Sequence, residues 1–408
     1  MYTVIKNCRI CNSDKLVHVL SLGEQALTGV FPKKGEDAPV GELDVLWCSD
    51  CGLLQMKQSY NPTEMYGDNY GYRSGLNQTM INHLTEKIHG LEHIAFLLPK
   101  DLVIDIGSND ATSLKAYQTK CTKVGIDPTG TKFREYYTDD ITLIPDFFTA
   151  KKYKNIFDNR KAKIVTSIAM FYDLERPGKF VREIESILDK EGIWHFEQSY
   201  MPSMLRATSY DMVCHEHLEF YSFTVVKNLL ERNSMRVVDV KTNGINGGSF
   251  AVTACKRDAV YKSNTPVINW MLAHEQFLKL NTVEPYMEFE KNVYKHRTEL
   301  VGLLKALVDD GKVIFGYGAS TKGNVMLQFC GITDKLIPYI ADVNPDKFGC
   351  HTPGTNIEII SDTDAFKMNP DYLFVLPWAF KQNILEKEKE FRNRGGKFIF
   401  PLPEIEIV

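Results

Sequence analysis

A chain of 408 residues is too long for one ordinary domain and suggests two or three. Its 44% hydrophobic and 25% charged residues are normal globular values, which exclude a disordered or fibrous protein. A net charge of -4 gives no general pull toward nucleic acid or an anionic membrane, and no apolar run reaches the roughly 18 residues of a membrane span.

The first residues, MYTVIKNCRICNSD, lack the apolar core of a secretion signal, so a cytoplasmic protein is expected. Nine cysteines, an odd number, argue against a disulfide framework. Four of them, Cys8, Cys11, Cys48 and Cys51, form two C-x2-C pairs within the first 51 residues. Each pair turns two thiolates toward one point, and two pairs complete the sulfur tetrahedron that Zn2+ favours. Four thiolates leave no open coordination position, so this metal is structural. It compensates for the small core of a module spanning residues 1–62. An iron–sulfur cluster is the lesser alternative.

The segment EMYGDNYGYRSGLNQTM (64–80) concentrates Tyr66, Tyr70, Tyr72, Arg73, Ser74 and Asn77 on a glycine-hinged loop. Its donors suit a sugar or phosphate; the other reading is an aromatic loop packed on the zinc module. A helix is expected through residue 98. LVIDIGSNDATSL (102–114) then reads as buried strand, tight turn at Gly107 and helix start, which brings backbone amides to a ligand at the strand's carboxyl end. The turn does not match G-x-G-x-x-G, so a dinucleotide is not expected there. VGID (124–127) is a second strand ending in an acid, Asp127, about twenty residues on, where it can accept from ribose hydroxyls. KIVTSIAMF (163–171), a helix FVREIESILDK and GIWHFEQSY (192–200) continue a βαβα alternation, so a doubly wound parallel sheet is expected over 63–265.

DMVCHEHLEFYS (211–222) holds the closest histidine pair in the chain. His215 and His217, two apart, share a face only if the segment is a strand, and H-E-x-x-H is not met. With Glu216 between them they read either as a general base with a carboxylate neighbour or as a polar loop satisfying backbone groups. GINGGSFAV (244–252) is a hairpin turn or a close backbone approach to a ligand. An amphipathic helical stretch over 265–308 bridges to the last part, residues 266–408. There KVIFGYGASTKGNVML (312–327) repeats strand, glycine turn and helix, with Lys322 and helix amides as a phosphate cradle. Asp342 ends a second strand, and 371–380 and 397–405 read as later strands. This half is a second Rossmann-like sheet, serving a second ligand, arising by duplication, or binding nothing.

The order strand, D-x-G, strand, acid resembles the class I S-adenosylmethionine methyltransferases. That resemblance places Asp105, Gly107, Ser108 and Asn109 at the methionine and ribose end, Asp127 on the ribose, and Ser167, Ile168 and Ala169 on the far side of the cofactor. Taken together, the four cysteines, D-I-G-S-N-D (105–110), H-E-H (215–217), G-G-S (247–249) and G-Y-G-A-S-T-K-G-N (316–324) resemble the bacterial nucleotide-sugar C-methyltransferases over nearly the whole chain. The expected architecture is therefore α/β: an N-terminal zinc-binding module, a class I methyltransferase Rossmann-like domain and a C-terminal Rossmann-like domain.

The family implies that a base removes the proton beside the ketone of a keto sugar and that the enolate takes a methyl group from S-adenosylmethionine. Carried over, His217 is the base, with Glu216 and His215 beside it and Tyr70 or Tyr72 facing the sugar. Tyr72, Arg73, Asn246, Gly318, Ser320, Lys322 and Asn324 are expected to hold the nucleotide-diphosphate sugar. Some relatives carry a tyrosine where this chain has Cys214, and some a histidine in the segment that here reads AMFYDLERP. Both positions border the sugar, so these departures bear on the substrate and on the position methylated. O- or N-methylation of an activated sugar uses the same scaffold, and a non-catalytic nucleotide-sugar-binding assembly protein is the alternative of another class. Neither nucleic acid nor membrane is expected as a partner, and the chain is expected to be a monomer or homodimer.

Overall fold

The structure is a computed structural model and describes residues 2–66 and 72–408. Its centre is a seven-stranded sheet in the order Met235–Asn243, Ser249–Lys256, Leu188–Ser199, Ala162–Ile168, Leu102–Ile106, Thr122–Ile126, Ile141–Ile144. The last five of these are parallel, and an antiparallel hairpin completes the other edge. Strand Leu102–Ile106 is buried along its whole length, which is why it reads as an unbroken apolar run. Helix Pro177–Ile187 covers one face through Phe180, Val181, Ile184 and Ile187, one apolar stripe at helical spacing. The chain winds one way from Leu102–Ile106 and the other way from Ala162–Ile168. The crevice at their carboxyl ends is where such sheets bind ligands.

The C-terminal sheet runs Glu358–Ser361, Tyr339–Asp342, Ile314–Tyr317, Tyr372–Val375, Lys397–Phe400, Glu406–Ile407, that is 3-2-1-4-5-6 in order of the chain. This is the doubly wound dinucleotide-fold order, with only the last strand antiparallel. The two sheets repeat one device at their first glycine turns. Asp127 accepts from the backbone N–H of Asn109 at 2.7 Å, and Asp342 accepts from that of Ala319 at 2.7 Å.

The N-terminal module is an antiparallel sheet of Leu16–Ala26, Val40–Cys48 and Leu54–Met56, but its fourth strand, Glu219–Phe220, comes from the middle of the chain. Buried Arg9 lies 3.8 Å from buried Glu219 and reinforces that junction. Helix Glu284–Asp309 packs on strand Leu16–Ala26, on helix Met201–Arg206 and on helix Thr321–Cys330, with Tyr286, Phe289, Val293, His296, Leu300 and Leu304 buried along it. The module, the C-terminal sheet and the segment Met201–Phe220 thus share one apolar core around this helix, while the central sheet packs in cores of its own.

One sequence expectation is corrected. The stretch 265–308 is not one helix but two, Thr265–Phe277 and Glu284–Asp309. Lys279 takes a left-handed φ of 55°, and Pro285 opens the second helix, where its missing N–H costs nothing. The H-E-H segment is a tight turn, so the strand condition under which its two histidines would share a face is not met. The GINGG stretch is a hairpin tip, joining the two antiparallel strands at one side of the central sheet.

Candidate active site

The carboxyl ends of Leu102–Ile106 and Thr122–Ile126 place Asp105 and Asp127 side by side. Asp105 is buried, accepts from Thr166 Oγ1 at 2.6 Å, and is pushed up by burial to about 7. Asp127 accepts from Asn109 N, Thr129 N and Thr129 Oγ1, and so links the two loops that frame the crevice. Gly107 has φ of 77°, and a Cβ there would meet Met170 at 3.1 Å. The left-handed turn therefore opens backbone onto the crevice under the Met170 side chain. Ser108 Oγ bonds the Tyr137 hydroxyl at 2.7 Å.

The far-side expectation divides. Ser167 Oγ accepts from Trp194 Nε1 at 3.1 Å and is fully buried, so its side chain faces the core. Ile168 is half-buried, and exposed Ala169 has φ of 54° with its N–H on Glu197 O. Only the strand end around 168–170 borders the crevice.

Tyr70 lies outside the described residues. The segment from Tyr72 lies over the D-I-G-S-N-D turn: Asn109 accepts from Ser74 N and donates to Tyr72 O, and Asp110 accepts from Gly75 N. Arg73 lies over the Tyr136 ring at 4.5 Å, bonds its hydroxyl, and is 3.9 Å from Asp110. Arg73 thus sits on the cofactor side of the molecule and faces an acid, not the second sheet. The Tyr72 side chain is half exposed.

In the H-E-H turn the three side chains part. His215, fully buried, donates from Nε2 to Gln25 O at 3.2 Å, meets Thr28 Oγ1 at Nδ1 and packs edge-on to Tyr60. It serves the N-terminal module, and burial pushes it down to about 4. His217 donates from Nδ1 to Met212 O at 2.7 Å, which fixes the tautomer and makes Nε2 the proton-accepting nitrogen. Its ring packs edge-on to Tyr172 at 4.4 Å. Burial, helped by the Lys322 charge, pushes His217 down to about 3. Glu216 reaches Gly29 so closely that a side chain on Gly29 would collide with its Oε1, while Thr321 lies beside the same spot.

Helix Thr321–Cys330 packs on the turn Tyr210–Met212 and brings Lys322 into the His217 neighbourhood. Lys322 Nζ donates to Asn246 O at 3.4 Å. Asn246 stands at the hairpin tip, where Gly247 lies against Trp378. Trp378 Nε1 donates to Asp211 Oδ2 at 2.8 Å, and Asp211 in turn faces Lys322. Tyr66 donates to Asp173 Oδ2 at 2.8 Å. One oxygen each of Asp173, Asp211 and Glu216 is buried without a hydrogen-bond partner among the described residues. Burial raises all three carboxyls. Sequence reasoning missed Asp173, Asp211, Tyr172 and Trp378. The one available signal was that Asp173 follows the carboxyl end of a central strand.

The remaining expected substrate residues are structural in their contacts. Asn324 is fully buried and donates to Thr28 O at 2.8 Å; Ser320 Oγ caps its helix through Gly323 N. Gly318 is a left-handed turn against Pro377. The Asn324 amide nitrogen and the Ser320 hydroxyl are therefore engaged by the module and the helix, while Asn324 Oδ1 is buried without a partner among the described residues.

Cys8, Cys11, Cys48 and Cys51 converge with all four Sγ atoms within 4.8 Å of one another, and two pairs are 3.5 Å apart. A tetrahedron with Zn–S of about 2.3 Å has edges of about 3.8 Å, so the donor set fits zinc. No cysteine is in a disulfide.

The strand order of the central sheet, with acids ending its first two strands around a left-handed glycine turn, defines a class I S-adenosylmethionine-dependent methyltransferase. The family model "C-methyltransferase C-terminal domain" matches residues 244–403, and "Putative zinc binding domain" matches 8–66. C-methyltransferase NovU of Streptomyces niveus is 30% identical over 410 positions, covering 99% of this chain and 97% of that protein. The chain belongs to the bacterial nucleotide-sugar C-methyltransferase family.

Among solved structures, a chain of the Haloferax volcanii complex of the Trm112 methyltransferase activator with a methyltransferase overlaps at 14% identity and TM-score 0.35, covering 44% of this chain and 94% of that one. Magnesium protoporphyrin IX methyltransferase of Synechocystis PCC 6803 overlaps at 14% and 0.34, covering 47% and 90%. Likenesses of that size carry no functional information. No helix among the described residues is long and apolar enough to cross a membrane.

Proposed function

We propose that the chain methylates carbon in a nucleotide-linked keto-deoxysugar, through an enolate generated by His217. The observation that carries this reading is the His217 tautomer. The bond from Nδ1 to Met212 O leaves Nε2 as the acceptor, and the depressed pKa keeps that nitrogen unprotonated at neutral pH. Asp105, Gly107, Ser108, Asn109 and Asp127, with the backbone around Ile168–Ala169, would hold S-adenosylmethionine, which supplies an electrophilic methyl group. Tyr172 fixes the imidazole plane, and Glu216 borders the site from the module side. The division 1–62, 63–265 and 266–408 then assigns structural zinc, methyl donor and nucleotide-sugar acceptor to successive parts. Nine cysteines free of disulfides agree with a cytoplasmic setting.

The test is product analysis with a 13C-methyl donor and a panel of 4-keto nucleotide sugars. A new carbon–carbon bond, seen as coupling between the labelled methyl and a ring carbon, is the expected outcome. A labelled methyl on oxygen or nitrogen contradicts the enolate reading, and binding of the sugar nucleotide without any turnover favours an assembly role.

A further inference from the structure

We propose that Lys322 is a catalytic residue whose ammonium donates to the enolate oxygen of the substrate, rather than a clamp on the nucleotide diphosphate. The inference rests on the C-methylation reading and goes beyond it. Lys322 is carried into the H-E-H site by packing of helix Thr321–Cys330 on the turn Tyr210–Met212, and its one side-chain bond among the described residues is a long one, 3.4 Å to Asn246 O at the hairpin tip. Its charged and titratable neighbours are Asp211, Cys214 and His217. Asp211 is held by the Trp378 indole at 2.8 Å and keeps a counter-charge beside the ammonium. The cation is therefore bonded to the hairpin tip, feels the Asp211 charge and shares a site with the base.

Substrate chemistry decides what a cation in that place can reach. The acidic C–H and the ketone oxygen sit on adjacent carbons, so a group beside the base is also beside the oxygen. The diphosphate leaves the ring from the anomeric carbon, further round the sugar. Proton abstraction breaks the C–H bond, moves the proton to His217 Nε2 and places the electron pair on the ketone oxygen. In the free enzyme Lys322 and a protonated His217 repel each other, which keeps the base neutral. As the oxyanion forms between them, both cations gain a common partner. A fixed donor aimed at charge that develops only in the transition state is the arrangement that accelerates such a step.

The experiment measures deuterium uptake from D2O into the carbon beside the ketone of a 4-keto nucleotide sugar. It is run at saturating sugar, with S-adenosylhomocysteine present so that no methyl is transferred. For K322M the expected result is a fall in the exchange rate of about 100-fold or more, with the half-saturating sugar concentration changed less than about threefold, and with partial recovery in K322R. Unchanged melting temperature and S-adenosylhomocysteine affinity verify that the variants are folded. If K322M does not fold, D211N, which removes the counter-charge, is read in the same way and is expected to lower exchange without weakening sugar binding. Exchange at the wild-type rate with half-saturation raised tenfold or more overturns the proposal and makes Lys322 a diphosphate clamp. A wild-type enzyme that exchanges no proton overturns the enolate reading together with this one. Exchange in the wild type and equally in K322M overturns this one alone.

Discussion

Asp105 and His217 are displaced in opposite directions by the same cause, burial, and each displacement has a measurable consequence. Asp105 is held up to about 7, so below neutral pH much of it is protonated in the ligand-free protein. A cationic methyl donor bound beside it favours the carboxylate. Calorimetry at pH 6 in buffers of different ionisation enthalpy should therefore show proton release on S-adenosylmethionine binding, and D105N should abolish it. His215 and His217 are held down to about 4 and about 3, below the ordinary histidine value. Between about pH 4 and 6.5 the unfolded chain binds protons at both that the folded chain does not. Their contribution to stability is present above 6.5 and is lost as pH falls through that window. Denaturant melts should accordingly show a decline from pH 7 to pH 4.5 that is shallower in H215Q. At this scale the sequence was informative where spacing is local: the cysteine pairs and the acids at strand ends are read from a few residues each. Tyr172 and Trp378 were not legible, because each reaches the site by tertiary packing of segments far apart in the chain; Asp173 offered only its place after a strand end, and Asp211, six residues before His217, is distinguished only by its partner Trp378 from the C-terminal sheet.

Among the elements, the glycine turn after Leu102–Ile106 and helix Thr321–Cys330 do most to place the site. Gly107→Ala puts a side chain in the left-handed region and against Met170. The expected cost is about 1 kcal/mol of stability, with a larger loss of cofactor affinity, measurable by comparing melts with titration calorimetry. The helix is fastened to the module by Gln328, which accepts from Ala26 N at 2.7 Å and donates to Ala26 O at 3.1 Å, and by Asn324 on Thr28 O. Strand–turn–helix periodicity made both elements legible. What it did not convey was that Asn324 faces the module, since a polar residue on a helix's first turns reads equally as ligand contact or as docking contact. Nor did it separate His215 from His217. A two-residue offset has a meaning in a strand, and this segment is a turn whose side chains are aimed by Gln25, Thr28 and Met212.

For the whole molecule, the zinc module is less a cap than a keystone. It borrows a strand from the middle of the chain, receives His215 and Glu216 from the H-E-H turn, and grips the helix that carries Lys322. Removing the metal should therefore affect more than the module. Zinc extraction with a strong chelator, or Cys48→Ser, is expected to lower the melting temperature and the deprotonation rate together, with about one zinc per chain lost. Intact exchange in zinc-free protein would show the module to be independent of the site. The central claim, that His217 makes an enolate, is tested most directly by deuterium exchange in D2O at the carbon beside the ketone, comparing wild type, H217A and H215A. The account predicts exchange in wild type, its loss in H217A by two orders of magnitude or more, on the order of what a positioned base supplies, and exchange within about tenfold of wild type in folded H215A. Exchange that persists in H217A, or methyl transfer by wild type without exchange, would contradict it.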